Sequence, residues 1–209
     1  MCEFLKKDGL SLKILESLSF KSSVGRSFKN NIDHFDKSDL MCEVEAATEW
    51  YDEKYILSEL GLDYRVKSLQ SASNKYDRYL EAHRQVRQVF DDLLGIRFLC
   101  DSYEDIVIPE GCTTLRVADM SNGKAQDDGY RGVHVYYQKD NFHYPIEIQY
   151  NTYFDRQLNN WLHKYVYKKG YPNSMGADLR ALYEQGRIRT EKEFREVMAD
   201  VLCRGETCE

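Results

Sequence analysis

The spacing of apolar residues predicts a chain of alternating helices and strands. Apolar positions from Leu40 to Tyr55 recur at the three- and four-residue intervals of a helix, with Ser38 as its predicted N-cap and Gly61 as its stop. Residues 1–36 predict one or two short helices. The longer predicted helices cover 39–59, 71–92, 152–168, 176–186 and 190–203.

Short alternating or apolar runs predict strands between these helices. They cover 64–69, 94–100, 114–120, 131–138 and 144–150. The run 94–100 is apolar enough for a buried central strand, and the turn-like residues 139–141 predict a hairpin between the last two strands. This order predicts an α+β fold, a mixed sheet of about four to five strands flanked by helices. We expect one domain over 1–209, with a core at about 38–170, N-terminal helices in 1–36 and C-terminal helices in 176–203.

Composition narrows the class of protein. The chain has 209 residues, of which 31% are charged, and a net charge of −6, so whole-chain attraction to nucleic acid is not expected. Basic residues nevertheless collect in 1–29 and 156–169. No apolar run reaches about 18 residues, and charges break the N-terminal stretch 1–8, so we predict no membrane span and a cytoplasmic protein. The six cysteines lack the paired spacing of a zinc site and are expected to be free thiols.

A polar cluster lies where a predicted strand passes into a predicted helix. Its members are Arg65, Lys67, Ser71, Lys75 and Arg78. The first two alternate on one side of the strand, and the other three share a helix face. Cations that converge at such a junction suit a triphosphate, because the helix N-terminus adds backbone donors. For any one of these cations, a solvated surface position is the commoner explanation.

Two acidic residues lie beside or within predicted strands, where a carboxylate needs a partner. Asp92 precedes the apolar run that contains Arg97, and burying either is costly unless it is paired. A metal for Asp92 and a phosphate or carboxylate for Arg97 would satisfy both; a structural Asp92–Arg97 ion pair is the alternative. Glu147 and Gln149 lie on the polar side of an otherwise apolar strand. Because Mg²⁺ prefers carboxylate oxygens together with substrate phosphates, Asp92 and Glu147 are its candidate ligands.

The segment 128–134 contains an aromatic ring between two glycines. Gly129 and Gly132 permit a close, irregular backbone around Tyr130. Stacking of Tyr130 on a base would contribute about 1–3 kcal/mol. His134 lies on a strand, where a hydrogen-bonded structural histidine is the default interpretation.

These clusters, in this order, resemble the RelA/SpoT nucleotidyltransferase family, especially its small single-domain alarmone synthetases. Five motifs carry the resemblance over about residues 64–168. They are R-x-K-x3-S-x3-K at Arg65, Lys67, Ser71 and Lys75; D-x-x-G-I-R at Asp92, Gly95, Ile96 and Arg97; G-Y-R-x-x-H at Gly129, Tyr130, Arg131 and His134; E-I-Q at Glu147 to Gln149; and H-K-x-x-Y-K at His163, Lys164, Tyr167 and Lys168.

The resemblance implies a pyrophosphokinase that moves the β,γ-diphosphate of ATP to a ribose 3′-hydroxyl. The implied catalytic residues are Glu147, Asp92 and Tyr130, with Mg²⁺ on Asp92 and Glu147. The implied ATP-binding residues are Arg65, Lys67, Ser71, Lys75, Arg78 and Arg97. The implied acceptor-binding residues are Tyr130, Arg131, His134, Gln149, Asn151, Arg156, His163, Lys164 and Lys168.

The acceptor side departs from the family pattern. The family's K-D-Y…P-K-x-N-G-Y stretch is replaced by residues 117–130, its R-T after E-I-Q is Asn151-Thr152, and its Glu before the histidine is Leu162. Because these changes resemble the toxic branch of the small synthetases, we favour the 3′ CCA end of tRNA over GDP or GTP as acceptor. A nucleotide-binding module without catalysis is the third hypothesis. The predicted partners are ATP, the acceptor, an antitoxin protein and a second copy of the chain in a homo-oligomer; no membrane partner is predicted.

Overall fold

The computed structural model describes residues 9–59, 61–106 and 111–206, with side chains as far as residue 202. Residues 1–8 of the predicted N-terminal helical segment lie outside the described residues, as do Cys2 and Cys208. Cys42, Cys100 and Cys112 are thiols, as expected. Within these described ranges, no helix has both the length and the hydrophobicity to cross a membrane.

Five strands form one mixed sheet in the order β1-β2-β5-β4-β3, which confirms the predicted α+β class. The strands are β1 (Asp63–Val66), β2 (Leu94–Cys100), β3 (Leu115–Asp119), β4 (Val133–Tyr137) and β5 (Ile146–Thr152). β1 pairs antiparallel with β2 and sets Arg65 opposite Gly95. Hydrogen bonds at both ends of β3 and β4, between Thr114 and Gln138 and between Met120 and Gly132, set Arg116 opposite Tyr136.

Alternation along the strands gives the sheet an apolar and a polar face. Val135 in β4 and the isoleucines Ile146 and Ile148 in β5 are fully buried. Since successive side chains point to opposite faces, Tyr136 and Glu147 lie on the other face. This polar face carries the candidate chemistry.

Eight helices accompany the sheet in the described part of the chain. They are α1 (Leu12–Ser17), α2 (Lys37–Asp52), α3 (Tyr55–Glu59), α4 (Leu69–Leu80), α5 (Val86–Val89), α6 (Tyr153–Tyr165), α7 (Asn173–Glu184) and α8 (Glu191–Glu206). Single 3₁₀ turns occur at Ile32–His34, Tyr103–Asp105 and Tyr167–Lys169.

Two helix predictions were wrong in extent. The predicted helix 39–59 is two helices, α2 and α3, and its N-cap is Asp36 rather than Ser38, because the Asp36 carboxylate accepts from the backbone N–H of Ser38 at 2.7 Å. The predicted helix 71–92 is α4 and α5. His83 separates them at φ +46°, a left-handed conformation that a continuous helix does not contain.

The described residues divide into two compact units. Unit 1 comprises the described residues within Met1–Phe98, Glu104–Ala118 and His134–Gln149, and unit 2 comprises those within Leu99–Tyr103, Asp119–Val133 and Tyr150–Glu209. Unit 1 holds α1 to α5 and most of the sheet. Unit 2 holds α6 to α8, which bury an apolar cluster that includes Trp161, Leu179 and Phe194. The single domain predicted over 1–209 stays a prediction.

Candidate active site

Three cations of unit 1 converge on Asp92, directly before β2. Lys67 Nζ lies 2.6 Å from Asp92 Oδ2, Lys75 Nζ lies 3.0 Å from Oδ1, and Arg65 Nη2 lies 3.8 Å from Oδ2. Local structure explains the convergence. The Lys67 N–H donates to the carbonyl of Leu93 at 2.9 Å and extends the β1–β2 pairing, while Lys75 projects from α4. The partners of Asp92 are thus Lys67, Lys75 and Arg65, and within the described residues the alternative Asp92–Arg97 ion pair is not formed.

Asp91 belongs to the same cluster, although it was not among the predicted site residues. Its Oδ1 accepts from Lys75 Nζ at 2.9 Å, and its Oδ2 lies 3.1 Å from Arg116 Nη2. The signal that would have found it is the Asp91-Asp92 pair just before a buried strand. Neighbouring carboxylates in such a position require cations from elsewhere in the fold.

Glu147, in the middle of β5, is 5% exposed and fully hydrogen-bonded. Its Oε1 accepts from the Tyr136 hydroxyl at 3.1 Å and lies 3.0 Å from His134 Nδ1. Its Oε2 accepts from Gln149 Nε2 at 2.6 Å. His134 and Gln149 were predicted for the acceptor; in this structure both hold the carboxylate of Glu147 in place.

The carboxyl groups of Asp91, Asp92 and Glu147 differ in the direction in which the protein shifts their pKa. Burial raises the pKa of Glu147, but the hydrogen bond and charge of His134 outweigh it and leave that pKa below its usual value. Burial likewise raises the pKa of Asp92, but the positive charges and hydrogen bonds of Lys75 and Lys67 outweigh burial, so this pKa is also below its usual value. Burial raises the pKa of Asp91, and the negative charges of Asp92 and Glu147 raise it further. Together these effects outweigh the lowering by Lys75, so the pKa of Asp91 is above its usual value. Asp92 and Glu147 are therefore the two carboxylates that stay ionised most readily.

The donor set fits a magnesium ion held partly by substrate. The negative charge of Asp92 opposes the lowering of the Glu147 pKa without reversing it, so the two carboxylates lie within electrostatic reach of each other. A Cβ at Gly95 would lie 3.5 Å from Glu147 Oε2, so the absent side chain leaves space beside that oxygen. Across the described residues, no three His, Cys, Asp or Glu side chains group as metal ligands. Magnesium is commonly held by one or two carboxylates plus phosphate oxygens, so this pair suffices.

Three predicted ATP-binding residues lie outside the contacts of Asp91 and Asp92. The Ser71 hydroxyl accepts from that of Ser68, the N-cap of α4, at 2.9 Å. The Arg78 guanidinium carbon lies 5.6 Å from the centroid of the Tyr79 ring. Arg97 is half-buried on β2, opposite Asp63 of β1.

The loop that carries Tyr130 belongs to unit 2 and depends on two glycines. Gly129 has φ +84°, and a Cβ there would lie 2.2 Å from the carbonyl oxygen of Gly176. A Cβ at Gly176, in α7, would in turn lie 2.0 Å from the carbonyl oxygen of Asp128. The two backbones therefore touch, and only glycine fits at either position. The Tyr130 ring is half-buried beneath Lys124, whose Nζ lies 5.1 Å from its centroid.

A buried arginine also holds this loop. Arg180, 2% exposed, donates from Nε to the carbonyl of Gly129 at 2.8 Å and from Nη1 to Asp155 Oδ1 at 2.5 Å. Asp155 accepts further from the hydroxyls of Tyr103 and Thr152, each at 2.8 Å. Arg180 and Asp155 were not among the predicted site residues, because nothing in the local sequence distinguishes them from surface charges on a helix.

Two predicted acceptor residues support the Tyr130 loop from within unit 2. Arg131 makes a two-pronged ion pair with Asp127, at 2.8 Å and 2.9 Å, and also donates to the Tyr130 carbonyl. Asn151, 2% exposed, donates to the Arg131 carbonyl at 2.9 Å. Both side chains therefore shape the loop.

The other predicted acceptor residues of unit 2 lie on or just after α6. Arg156 is half-buried, and His163, Lys164 and Lys168 are exposed. Lys164 pairs with Glu191 at 2.7 Å. Tyr167 from the same motif donates to the Asp128 carbonyl at 2.8 Å and so adds another tie to the loop.

Several solved structures resemble this chain. Small alarmone synthetase 1 from Bacillus subtilis, bound to its product pppGpp, is 23% identical at a TM-score of 0.44, over 71% of this chain and 79% of that chain. Small alarmone synthetase 2 from Bacillus subtilis is 20% identical at 0.44, over 83% and 100%. A GTP pyrophosphokinase family protein from Streptococcus pneumoniae is 18% identical at 0.44, over 78% and 88%.

No family model and no curated protein matches the chain. Identities of 18% to 23% at TM-scores of 0.44 do not place it in the family of these structures. Its function therefore rests on the chemistry of the site.

Proposed function

We propose that this protein is a magnesium-dependent pyrophosphokinase that transfers the β,γ-diphosphate of ATP to a ribose 3′-hydroxyl. The observation that carries the proposal is the polar face of unit 1, where two ionised carboxylates, Asp92 and Glu147, adjoin converging cations. Phosphoryl transfer needs little covalent chemistry from a protein; it needs positioned reactants and neutralised phosphate charge. This site contains both kinds of group.

The proposed reaction forms one bond and breaks one. The acceptor's 3′-oxygen attacks the β-phosphorus of ATP, the bond from that phosphorus to the oxygen of the α-phosphate breaks, and AMP leaves. Glu147 takes the proton of the hydroxyl. Its lowered pKa keeps it ionised at neutral pH, and His134, Tyr136 and Gln149 fix both of its oxygens in place.

The donor nucleotide would be held by the cations around Asp92. The ammonium groups of Lys67 and Lys75 lie 2.6 Å and 3.0 Å from the Asp92 carboxylate, so two positive charges are close together there. Arg65 on β1 and Arg97 on β2 add two guanidinium groups on neighbouring strands. Mg²⁺ bound by Asp92 and Glu147 would neutralise phosphate charge in the transition state. Ser71 and Arg78 remain proposed ATP contacts on α4.

For the acceptor we propose the 3′ CCA end of tRNA, with GDP or GTP as the second candidate. The segment 117–130 does not match the family's K-D-Y…P-K-x-N-G-Y stretch, although it contains Lys124. Exposed basic side chains such as Lys164 and Lys168 lie in unit 2. A terminal adenosine offers a base for Tyr130 and a free 3′-hydroxyl. In that case the protein would inhibit translation and act as the toxin of a toxin–antitoxin pair.

A labelled-transfer assay tests the proposal. Purified protein, Mg²⁺ and ATP labelled in its γ-phosphate are incubated separately with bulk tRNA, GDP, GTP and adenine nucleotides, and AMP release is measured in parallel. We expect label on one acceptor and one AMP for each diphosphate transferred, with neither seen for Glu147→Gln. If no acceptor is labelled and no AMP forms, the pyrophosphokinase proposal is wrong.

The acceptors separate the candidates. Label at the tRNA 3′ end supports the toxin, and expression in a bacterial host should then stop growth for the wild type but not for Glu147→Gln. Label on GDP or GTP alone makes the protein an alarmone synthetase. ATP binding without transfer would leave a nucleotide-binding module.

A further inference from the structure

A polar cavity lies in unit 1 next to the candidate active site. It has a volume of about 310 Å³ and shares Arg116 and Tyr136 with that site. The other walls come from residues 29, 87–88, 113–115, 138–141 and 145, which neither the sequence motifs nor the proposed reaction uses. A volume near the lower end of the range for ligand pockets suits a small molecule.

The lining of this cavity is strongly cationic. It includes four cationic side chains and a single carboxylate, that of Asp140; the cations are Lys29, Arg87, Arg116 and Lys139. This excess of positive charge contrasts with the net charge of −6 of the whole chain. Charges of one sign around a concave, low-dielectric wall concentrate the field and attract ions of the opposite sign. The cavity is therefore suited to an anion.

The one carboxylate in the lining, that of Asp140, already has partners within its own turn. Asp140 Oδ1 accepts from the Phe142 N–H at 2.8 Å and lies 2.7 Å from Nδ1 of the buried His143. In contrast, Lys29 and Lys139 form no ion pair within the described residues, and both are exposed. Two ammonium groups are thus available to a ligand.

Arg116 joins the cavity to the active site. Its guanidinium carbon lies 3.8 Å from the centroid of the Tyr136 ring, and its Nη2 lies 3.1 Å from Asp91 Oδ2. The side chain is 54% exposed, so an anion in the cavity can contact it while it still pairs with Asp91. Tyr136, on the shared wall, donates to Glu147.

We propose that this cavity binds a phosphate chain, either an inorganic polyphosphate or the 5′-phosphates of a nucleotide. Several cations spread around one cavity match an anion that has many oxygens, whereas a single carboxylate would leave most of them unused. The inference does not depend on the proposed transfer reaction, because the two residues that carry its test, Lys29 and Lys139, contact neither Asp92 nor Glu147 and the measurement is one of binding.

The test is a calorimetric titration of the intact protein with inorganic tripolyphosphate. Lys29→Gln combined with Lys139→Gln should weaken binding by on the order of tenfold for each lysine removed. Lys13→Gln is the matched control, since Lys13 is an exposed lysine of the same unit on α1, outside the cavity. Affinity equal in the double variant and the control overturns the proposal.

Parallel titrations distinguish the two sources of the phosphate chain. If the cavity takes nucleotides, GTP or ATP loses affinity in the double variant together with tripolyphosphate. If it takes free polyphosphate, only tripolyphosphate does. Circular dichroism of the variants checks that the fold is unchanged, and Lys29→Arg with Lys139→Arg should restore binding because it keeps both charges.

Discussion

Arg180→Met is the substitution for which the structure makes the strongest stability prediction. Methionine fills most of the arginine's volume and has no charge, so the change removes the ion pair with Asp155 and the hydrogen bond to the Gly129 carbonyl without opening a large cavity. What remains is a carboxylate that is buried and has lost its cation. The hydroxyls of Tyr103 and Thr152 still donate to it, but they carry no charge.

The expected cost is about 3–5 kcal/mol in the free energy of unfolding, the usual result of removing one member of a buried ion pair. The two side chains are 2% and 11% exposed, so water cannot replace the lost partner. At a urea slope of about 1–3 kcal/mol per molar, the unfolding midpoint should fall by more than about 1 M. Adding Asp155→Asn should cost less than the sum of both single changes, because it removes the uncompensated charge.

The assay is urea unfolding followed by tryptophan fluorescence. Trp161 lies in the buried cluster of unit 2, and replacing the only other tryptophan, Trp50, by Phe makes the signal specific for that unit. Lys192→Met is the control, since Lys192 is 84% exposed and its pair with Glu196 spans 3.7 Å; it should change stability by less than about 0.5 kcal/mol. If Arg180→Met also costs less than about 1 kcal/mol, the Arg180–Asp155 pair does not hold the Tyr130 loop as described.

Four further predictions concern the site. Glu147→Gln should lower turnover by about 10²–10⁴-fold with an unchanged circular dichroism spectrum, and a normal rate would exclude Glu147 as the proton acceptor. Tyr130→Ala should weaken acceptor use by about 1–3 kcal/mol, seen as a raised KM for the acceptor and not for ATP; equal effects on both would place the ring elsewhere. Because Lys75 and Lys67 lower the Asp92 pKa in the folded state, its ion pairs stabilise above the ordinary aspartate pKa of about 4 and are lost below it. The wild-type urea midpoint should therefore fall more steeply on acidification than that of Asp92→Asn, and parallel curves would contradict this. Removal of Mg²⁺ with EDTA should stop transfer, and readdition should restore it; transfer that persists would remove the metal from the proposal.

The local pattern of apolar and polar residues was enough to predict strand bounds and the face of a strand on which a side chain lies. Strand β2 has the predicted bounds, because a short apolar run between polar segments is typical of a buried strand. The alternation in β5 placed Glu147 and Gln149 on the polar face. Both inferences need only residues that are close together in the chain. The contacts of Lys67 and Lys75 with Asp92 were not predicted, because the sequence indicated ATP as the partner of the lysines and a metal ion or Arg97 as the partner of Asp92.

Tertiary structure decided which distant groups became partners. Asp91 acquires Arg116, and Glu147 acquires Tyr136, through the pairing of β4 with its neighbours. Glu43 is buried on α2 and accepts from the hydroxyl of Tyr144, 101 residues away, a contact that no spacing rule contains.

The same holds for Arg180, which looks like a surface charge in the sequence and is buried against Asp155 in the fold. Hydrophobic periodicity specifies which face of an element turns inward. It does not specify which buried charge meets which, because that choice depends on the energy of desolvating each group against the partners that packing places beside it.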